Sequence, residues 1–472
     1  MREAYAPQHA TSELKIINMK HLEQPSRDDL WLLPLGGTGE IGMNLNLYGH
    51  DGQWLMVDCG ISFEDQLDKN GVNQSRVIMP DIEFLKTIKH QIVGIVVTHA
   101  HEDHIGALPY LWSQIECPIY ASPFTRQVLI NKFVRAHCPA PVTTIDPHST
   151  FKLGVFSIAP VAMTHSTPET LGLVISTPAA RVFHTADWKI DPDPIIGVPA
   201  TADLYTNLGE LDAVVSDSTN ALEPNWAISE ATVHEGLLAV IRDAPGRVIV
   251  SCFASNIARL QTLGRIAKQT NRYLGLMGYS LDVMHRAAKE AGYLSEDFSV
   301  IDCAELGYLP PEEVMVIATG SQGQQGSALH KLALDQQRDL NLSANDQVIL
   351  SSKTIPGNER SIELLLKHFT KLDVQVWQGE TSNLPLHGSG HGGQPELLKL
   401  FEWTRPKTLV PVHGEPKHLL ASAEIGRQAG IENQLIGANG DRYDLVHASI
   451  ERGVVKTGRL SVDDQGNLIA VT

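Results

Sequence analysis

The segment His99-x-His101-x-Asp103-His104 has the residue types and spacing of a metal-binding cluster. In an extended stretch, side chains two positions apart point to the same side, so the first two imidazoles would face one point. A turn after them would direct Asp103 and His104 towards a second point close by. Imidazole nitrogen and carboxylate oxygen both ligate zinc. Such a cluster is uncommon by chance, so we interpret the segment as serving two neighbouring divalent ions rather than as a group of surface side chains.

Three further metal-competent residues stand where apolar runs stop, namely His165, Asp187 and His413. Residues at the ends of different strands converge in α/β folds, so we expect these three to complete the two metal sites. Asp187 is the predicted bridge, because a carboxylate offers one oxygen to each ion. Singly each is weak evidence, since a histidine at a strand end is more often an ordinary hydrogen-bonded residue.

Asp58 follows the apolar run at 54–57 and comes shortly before Gly60. We interpret its carboxylate as a hydrogen-bond acceptor that fixes the tautomer of a ligand histidine. An aspartate that only forms the turn before this glycine is the competing interpretation.

The elements that must position these residues follow the pattern of an α/β protein. From Leu30 the chain alternates short apolar runs, turns and amphipathic segments. Between about 225 and 385 it changes to repeated strand-then-helix units, which predict a doubly wound domain inserted between two parts of the metal-bearing domain. The expected organisation is a loosely ordered extension (1–28, with Met19 as a second candidate start), the metal-bearing domain (29–224 and 386–472) and the insert (225–385).

Composition places the chain among soluble proteins of the cytoplasm. It has 472 residues, of which 43% are hydrophobic, and its apolar runs are too short to span a membrane. Five scattered cysteines without a CxxC pair argue against disulfides and against a cysteine zinc site, and they fit a reducing cytosol. The formal net charge of -17 argues against a polyanionic substrate, although a local cleft and bound metal ions can supply positive charge where it is needed.

Ten motifs, in order from about residue 30 to the end, closely resemble those of the ribonuclease J family, which belongs to the β-CASP branch of metallo-β-lactamase-fold hydrolases. The motifs are LGGTGEIGMN (35–44), VDCG (57–60), THAHEDHIGALPYL (98–111), HSTPET (165–170), HTADWKID (184–191), SDSTNA (216–221), TGSQG (319–323), IPGNE (355–359), HGSGH (387–391) and PVHGE (411–415). The resemblance implies a metallo-β-lactamase αββα sandwich with an inserted β-CASP domain, in a short form without the separate C-terminal domain of many members.

The resemblance also implies a function and the residues that perform it. The expected activity is hydrolysis of RNA, 5′ to 3′ from a 5′-monophosphate end, with additional endonucleolytic cuts and with two zinc ions, or Mn²⁺ or Mg²⁺ as activating ion. A homodimer is compatible with this form. The ligands implied are His99, His101, His165 and Asp187 for one ion, and Asp103, His104, His413 and the shared Asp187 for the other.

Proton transfer is assigned to two residues that match the family's acidic and histidine motifs. His391 is the expected donor to the departing 3′-oxygen, and Asp217 orients it. A flexible, glycine-rich surface loop is the competing interpretation of 387–391.

Loops between strands and helices are expected to hold the RNA phosphates through backbone N–H groups and small side chains. The candidates are Ser321, Gln322 and Gly323, then His387, Ser389 and Gly390, and also Ser255 and Asn256 with Arg259 beside them. Glycine-rich turns are also common for structural reasons alone. Two loops depart from the family: GSQGQQGSAL stands at 320–329 for GSQGEPMSAL, and HGSGHGG at 387–393 for HVSGHAS. Added glycine loosens both, which bears on 5′-end preference more than on cleavage.

Three other functions remain open from the sequence. A small-molecule metallohydrolase, of the lactonase or thioesterase type, would use the same metal cluster and suits the negative charge, but it leaves the inserted domain unexplained. A DNA-directed β-CASP nuclease would share the motifs. An inactive RNA-binding relative would be expected to have lost ligand residues, yet every expected position is occupied.

Overall fold

A computed structural model describes residues 23–67, 73–355, 358–463 and 465–471. Most of the predicted extension at 1–28, and with it the question of the start at Met19, lies outside the described residues.

The described residues up to 217 form thirteen strands and five α-helices. The strands are β1 (Trp31–Gly36), β2 (Leu45–His50), β3 (Gln53–Val57), β4 (Ser62–Leu67), β5 (Asn73–Pro80), β6 (Ile92–Val96), β7 (Ile119–Ala121), β8 (Val142–Thr144), β9 (Phe151–Leu153), β10 (Phe156–Ala162), β11 (Leu171–Ser176), β12 (Arg181–His184) and β13 (Ala213–Asp217). The helices are α1 (Glu83–Ile88), α2 (Glu102–Ile105), α3 (Leu108–Ile115), α4 (Pro123–Arg135) and α5 (Ala202–Thr206), with a 3₁₀ turn at Lys89–Gln91.

The middle of the chain alternates helices and strands, as the sequence pattern predicts. Its elements are α6 (Glu230–Arg242), β14 (Val248–Ser251), α7 (Ile257–Gln269), β15 (Tyr273–Met277), α8 (Tyr279–Glu290), α9 (Cys303–Leu306), a 3₁₀ turn (Pro311–Glu313), β16 (Val314–Ala318), α10 (Ala328–Ala333), β17 (Gln347–Leu350), α11 (Glu359–Lys371) and β18 (Gln375–Gln378). The last part contains α12 (Gln394–Thr404), β19 (Thr408–Val412), α13 (Pro416–Gln428), β20 (Asn433–Gln434), β21 (Arg442–Asp444), β22 (Ser449–Glu451), β23 (Arg459–Val462) and β24 (Leu468–Val471).

Two large mixed sheets pack face to face and carry helices on their outer sides. One has the order β22-β21-β1-β2-β3-β6-β7-β8 and the other β20-β19-β13-β12-β11-β10-β9. Buried residues of both sheets, such as Leu55 and Val96 opposite Leu173 and Val215, share one core. Further clusters join the first sheet to α1, α3 and α4, and the second sheet to α5, α12 and α13. The expected αββα sandwich is confirmed.

The inserted region has a sheet of its own, in the order β15-β16-β14-β17-β18. All four of its strand pairings are parallel. Buried side chains of this sheet pack against α6, α7 and α8 on one face and against α9, α10 and α11 on the other. This is the predicted doubly wound arrangement, in which functional groups gather at the carboxyl ends of the strands.

A small antiparallel sheet, β24-β23-β5-β4, joins the strands near the end of the chain to a hairpin near its beginning. The sequence pattern did not single out this sheet. Within the described ranges, no helix is long and apolar enough to cross a membrane.

Candidate metal centre

The predicted metal-binding cluster lies in the turn that follows β6 and begins α2. His101 is the residue at the N-terminal cap of α2. The loop after β3 packs directly on this turn, since Cys59 N–H donates to the His104 carbonyl at 2.7 Å. A Cβ at Gly60 would lie 1.7 Å from the Asp103 carbonyl oxygen, so this approach of two backbones requires glycine. The turn that presents the cluster is therefore held in place by the loop containing Asp58.

His99, His101, His165 and Asp187 form the first donor set, and one ligand atom of each lies within 4.8 Å of the others. His165 Nε2 is 3.1 Å from His101 Nδ1, and His99 Nε2 is 3.6 Å from Asp187 Oδ2. His165 Nδ1 lies 2.7 Å from the Gly390 carbonyl oxygen, so this nitrogen must donate and Nε2 faces the set with its lone pair. Among the described residues, the buried Nε2 of His99 has no hydrogen-bond partner.

Asp103, His104, Asp187 and His413 form the second donor set, with the same spacing limit of 4.8 Å. His104 Nε2 lies 3.3 Å from Asp187 Oδ2, and His413 Nδ1 lies 3.0 Å from Asp187 Oδ1. His413 Nε2 is 3.3 Å from Asp103 Oδ2 but makes no hydrogen bond with any described residue. Asp187 thus directs one carboxylate towards both sets, as a bridging ligand must.

Three residues of the centre have backbone angles that are uncommon for side chains other than glycine. The φ angles are 63° at Asp58, 51° at Ala186 and 51° at His413. Such residues cost free energy and cluster at functional sites. Ala186 immediately precedes Asp187, so the unusual backbone acts on the direction of the shared carboxylate.

Asp58 is buried and lies beneath the second set. Its carboxylate accepts hydrogen bonds from Thr98 N–H and Thr98 Oγ1–H, both at 2.8 Å, and lies 2.7 Å from His104 Nδ1. A carboxylate at that distance keeps the proton on Nδ1, and Nε2 then points at Asp187. The geometry is that of the acceptor predicted for a ligand histidine.

The histidines of the two sets differ in the direction in which their pKa values are shifted. Burial lowers the pKa of His99 and of His165 well below the usual value, and that of His101 to about 4. These imidazoles are neutral at pH 7, which is the form that binds metal. Burial acts the same way on His104 and His413, but neighbouring carboxylates outweigh it. They hold the pKa of His104 well above its usual value and raise that of His413 to about 10.

The donor chemistry fits divalent metal ions. Each set offers imidazole nitrogens together with carboxylate oxygen, which is the combination that zinc prefers when thiolates are absent. Of the four buried imidazole nitrogens that lack a hydrogen bond among the described residues, one lies in each set, at His99 and His413. A buried polar atom left without a partner is costly, and a metal ion would remove that cost.

His391 and Asp217 lie beside the second set. His391 Nδ1 is 2.7 Å from Asp217 Oδ2, and its Nε2 is 3.9 Å from Asp187 Oδ2. The other Asp217 oxygen accepts from Thr219 N–H at 2.8 Å. Burial lowers the pKa of His391, but Asp217 and Asp187 more than offset it and raise the pKa above its usual value. The structure therefore brings the predicted proton donor and its orienting acid to the edge of the metal centre.

Sequence reasoning did not assign roles to Asn44, His184 and Asn220, which also surround the centre. Asn44 Nδ2 lies 3.1 Å from His104 Nε2, and Tyr48 Oη lies 3.0 Å from His184 Nδ1. Burial lowers the pKa of His184 to about 4. Asn220 contacts the loop that carries His391. Each lies in a stretch that matched the family, and this was the only signal that could have found them.

The predicted phosphate loop after β16 is tied to the loop after β17. Gln322 Nε2 donates to the Lys353 carbonyl at 2.9 Å, and Gln322 Oε1 accepts from Ile355 N–H at 2.8 Å. The Gln322 side chain therefore joins two loops, while Ser321 and Gly323 are buried beside it. Phosphate binding by these three residues stays a prediction.

The other predicted phosphate groups are divided between the start of α7 and the loop before α12. Asn256 caps α7 by accepting from Arg259 N–H at 2.9 Å, next to the partly buried Ser255. The Arg259 guanidinium is fully buried, where it pairs with Glu230 at 2.8 Å rather than facing a cleft. Burial lowers the pKa of His387 to about 3, so this imidazole is neutral. Ser389 and Gly390 lie directly beside His391.

Three family profiles match successive parts of the chain. They are a beta-lactamase superfamily domain at 53–251, the ribonuclease J beta-CASP domain at 245–369 and the Zn-dependent metallo-hydrolase RNA specificity domain at 386–435. A crystal structure of a protein of unknown function from Enterococcus faecalis has a similar fold, with a TM-score of 0.60 at 14% identity over 88% of this chain and 100% of that one.

Whole-chain relatives agree with the profiles. The chain is 39% identical to ribonuclease J of Sinorhizobium meliloti over 91% of its own length and 77% of that enzyme. The chain is 37% identical to ribonuclease J of Mycolicibacterium smegmatis, over 91% of its own length and 77% of that enzyme. For ribonuclease J of Helicobacter pylori it is 33%, and the chain spans only 64% of that enzyme's length. Together with a centre built for divalent metal ions, these matches show that the chain belongs to the ribonuclease J family of RNA-processing metallo-hydrolases.

Proposed function

We propose that this chain is a two-metal ribonuclease that cleaves RNA phosphodiesters at the centre built on Asp187. The observation that carries the proposal is the sharing of one buried carboxylate by two adjacent donor sets. Sites with two ions a few ångströms apart are typical of enzymes that hydrolyse phosphate esters.

Zinc is the proposed resident ion at both sets, with Mn²⁺ or Mg²⁺ as an alternative activating ion. The first set would comprise His99, His101, His165 and Asp187, and the second Asp103, His104, His413 and Asp187. When bound, such ions activate water at neutral pH and neutralise charge on the phosphoryl oxygens. Asp58 would act through His104, whose tautomer it fixes.

Proton delivery is the proposed task of His391. Asp217 accepts from Nδ1 and so keeps the ring in one orientation, with Nε2 directed at the centre. A protonated Nε2 can then donate to the departing 3′-oxygen, and the Asp217 carboxylate beside Nδ1 stabilises the protonated ring. The products would carry 5′-phosphate and 3′-hydroxyl ends.

We further propose that cleavage proceeds 5′ to 3′ from a 5′-monophosphate end, with some endonucleolytic cuts. The support is the family resemblance together with the position of Ser389 and Gly390 next to His391. The inserted domain favours this function over a small-molecule hydrolase, and the RNA specificity domain matched at 386–435 favours RNA over DNA. A cytosolic setting is supported by five free cysteines, and a homodimer rests on the family resemblance alone.

The test compares RNA bearing a 5′-monophosphate with the same RNA bearing a 5′-hydroxyl, each labelled at the 3′ end and supplied with zinc or manganese. We expect His391→Ala to lower kcat by about 10²- to 10⁴-fold while the metal content stays unchanged. His148→Ala, at an exposed histidine outside the centre, is the matched control. Failure of the wild-type protein to cleave any RNA, with turnover of simple esters instead, would point to a small-molecule hydrolase. Wild-type kcat in His391→Ala would refute the assigned proton donor.

A further inference from the structure

Asn220 joins the loop after β13 to the loop that carries His391. Its side-chain nitrogen Nδ2 lies 2.8 Å from Ser389 Oγ and 2.9 Å from the His391 carbonyl oxygen. The partly buried Asn220 lies 169 and 171 positions from these residues along the chain, so only the fold brings the three together.

The chemistry of the partners fixes the direction of both hydrogen bonds. A carbonyl oxygen only accepts, so the group of Asn220 that faces His391 must be the NH₂ and not the oxygen. The same NH₂ faces Ser389, and therefore the serine oxygen accepts there as well. The bonding pattern alone therefore fixes the orientation of the amide.

Ser389 Oγ also accepts a second hydrogen bond, from the N–H of His391 at 3.1 Å. A hydroxyl has two acceptor lone pairs and one proton. Both lone pairs are occupied in this arrangement, so the hydroxyl can take part in a further interaction only as a donor. An anionic phosphoryl oxygen is an acceptor suited to such a proton, whereas another N–H group is not.

Ser389 lies in a loop whose next two residues both contact the metal centre. The next residue, Gly390, accepts from His165 Nδ1 at 2.7 Å, and His391 pairs with Asp217 at 2.7 Å. The loop is therefore anchored to a candidate metal ligand on one side and to the orienting acid on the other.

We propose that Asn220 is a positioning residue that makes the Ser389 hydroxyl an obligate hydrogen-bond donor to a phosphoryl oxygen of the RNA. The same amide fixes the main chain of His391. The inference rests on the proposed ribonuclease function and adds to it a residue that acts without touching the substrate.

Asn220→Asp tests the proposal with almost no change of shape. The new carboxylate cannot donate, so it repels the His391 carbonyl and accepts the Ser389 proton, which withdraws that proton from the substrate. We expect kcat/KM on 5′-monophosphorylated RNA to fall about tenfold to a hundredfold, the range for a lost hydrogen bond to a charged group. Asn433→Asp is the matched control, because that amide also donates to a backbone carbonyl but lies far along the chain at β20.

A double-mutant cycle separates positioning from a merely structural role. If Asn220 acts through the Ser389 hydroxyl, Asn220→Ala combined with Ser389→Ala should lose little more kcat/KM than the worse single variant. Zinc content and melting temperature should match those of the wild type. The proposal would be overturned if the double variant lost kcat/KM by the product of the two single losses. It would also be overturned if the losses of kcat/KM accompanied a loss of zinc.

Two further outcomes keep the result decisive. If Asn220→Ala does not fold, Ser389→Ala alone still tests the donor, and wild-type kcat/KM in that variant overturns it. Failure of the wild-type protein to cleave RNA is a separate result, which contradicts the ribonuclease function itself.

Discussion

Replacing Asp58 with asparagine should weaken metal binding at the second donor set without disturbing the fold. Asp58 has a φ of 63°, a conformation that asparagine also tolerates, so the backbone can stay as it is. One of its oxygens accepts from Thr98 N–H, and the other lies 2.7 Å from His104 Nδ1. An amide in the same place has one acceptor and one donor end, and the two ends cannot satisfy both partners.

Either orientation of the new amide is unfavourable. With its oxygen on Thr98 N–H, the NH₂ faces His104 Nδ1 and forces the ring proton onto Nε2, the nitrogen that faces Asp187. With its oxygen on His104, the NH₂ opposes the Thr98 N–H and leaves a buried donor unpaired. Loss of such an outer partner typically costs about 10- to 100-fold in metal affinity, or about 1.4–2.7 kcal/mol.

Competition between the metal-free protein and a coloured zinc chelator would measure the affinities of both sets. We expect Asp58→Asn to weaken the second set and to leave the first, which holds His99 and His165, unchanged. Asp146→Asn is the matched control, since this exposed carboxylate also accepts from one N–H and one hydroxyl. Unchanged affinity at both sets would refute the tautomer argument, and equal loss at both would show that Asp58 only supports the fold.

Three further predictions concern the packing of the protein and its stabilisation by zinc. Gly390→Ala should lower metal affinity at the first set, because its Cβ would lie 2.5 Å from the His165 ring. The same titration measures this affinity, and an unchanged value would show that the loop moves to accommodate the methyl group. Arg259→Ala should lower the free energy of unfolding in urea by about 3–5 kcal/mol, because it leaves the buried Glu230 without its partner. Lys268→Ala, at an exposed ion pair, is the control and should cost under about 1 kcal/mol. Equal effects of the two substitutions would contradict this prediction. Zinc at about 1,000 times its dissociation constant should stabilise the metal-free protein by about 4 kcal/mol for each site that it fills, and an unchanged melting temperature would argue against a folded, zinc-binding centre.

The fold was largely predictable because its main elements are local patterns. Apolar runs such as 92–98 became buried strands, and the strand-then-helix units of the insert became a parallel sheet with helices on both faces. The antiparallel sheet of β4, β5, β23 and β24 was not predictable, since its pairing joins short strands about 380 positions apart and depends on tertiary context. The domain boundaries stay predictions.

The candidate site divides in the same way. The metal cluster at 99–104 has its spacing within one turn, and the structure brings His165, Asp187 and His413 to it from three other strand ends. Asn220 shows what sequence could not supply, because its role depends on the direction of one amide after folding. In the predicted phosphate loops, the sequence located Gln322 and Asn256 correctly but did not reveal what their side chains contact. Both side chains bind backbone groups of the protein itself.

The central claim is that one carboxylate, Asp187, serves two metal ions that together cleave RNA. The most direct test measures zinc content and cleavage of 3′-labelled, 5′-monophosphorylated RNA for the wild type and for Asp187→Ala. We expect two bound ions and cleavage for the wild type, and fewer ions with no cleavage for the variant. Full cleavage by Asp187→Ala, or a wild-type protein that binds two ions and leaves every RNA intact, would contradict it.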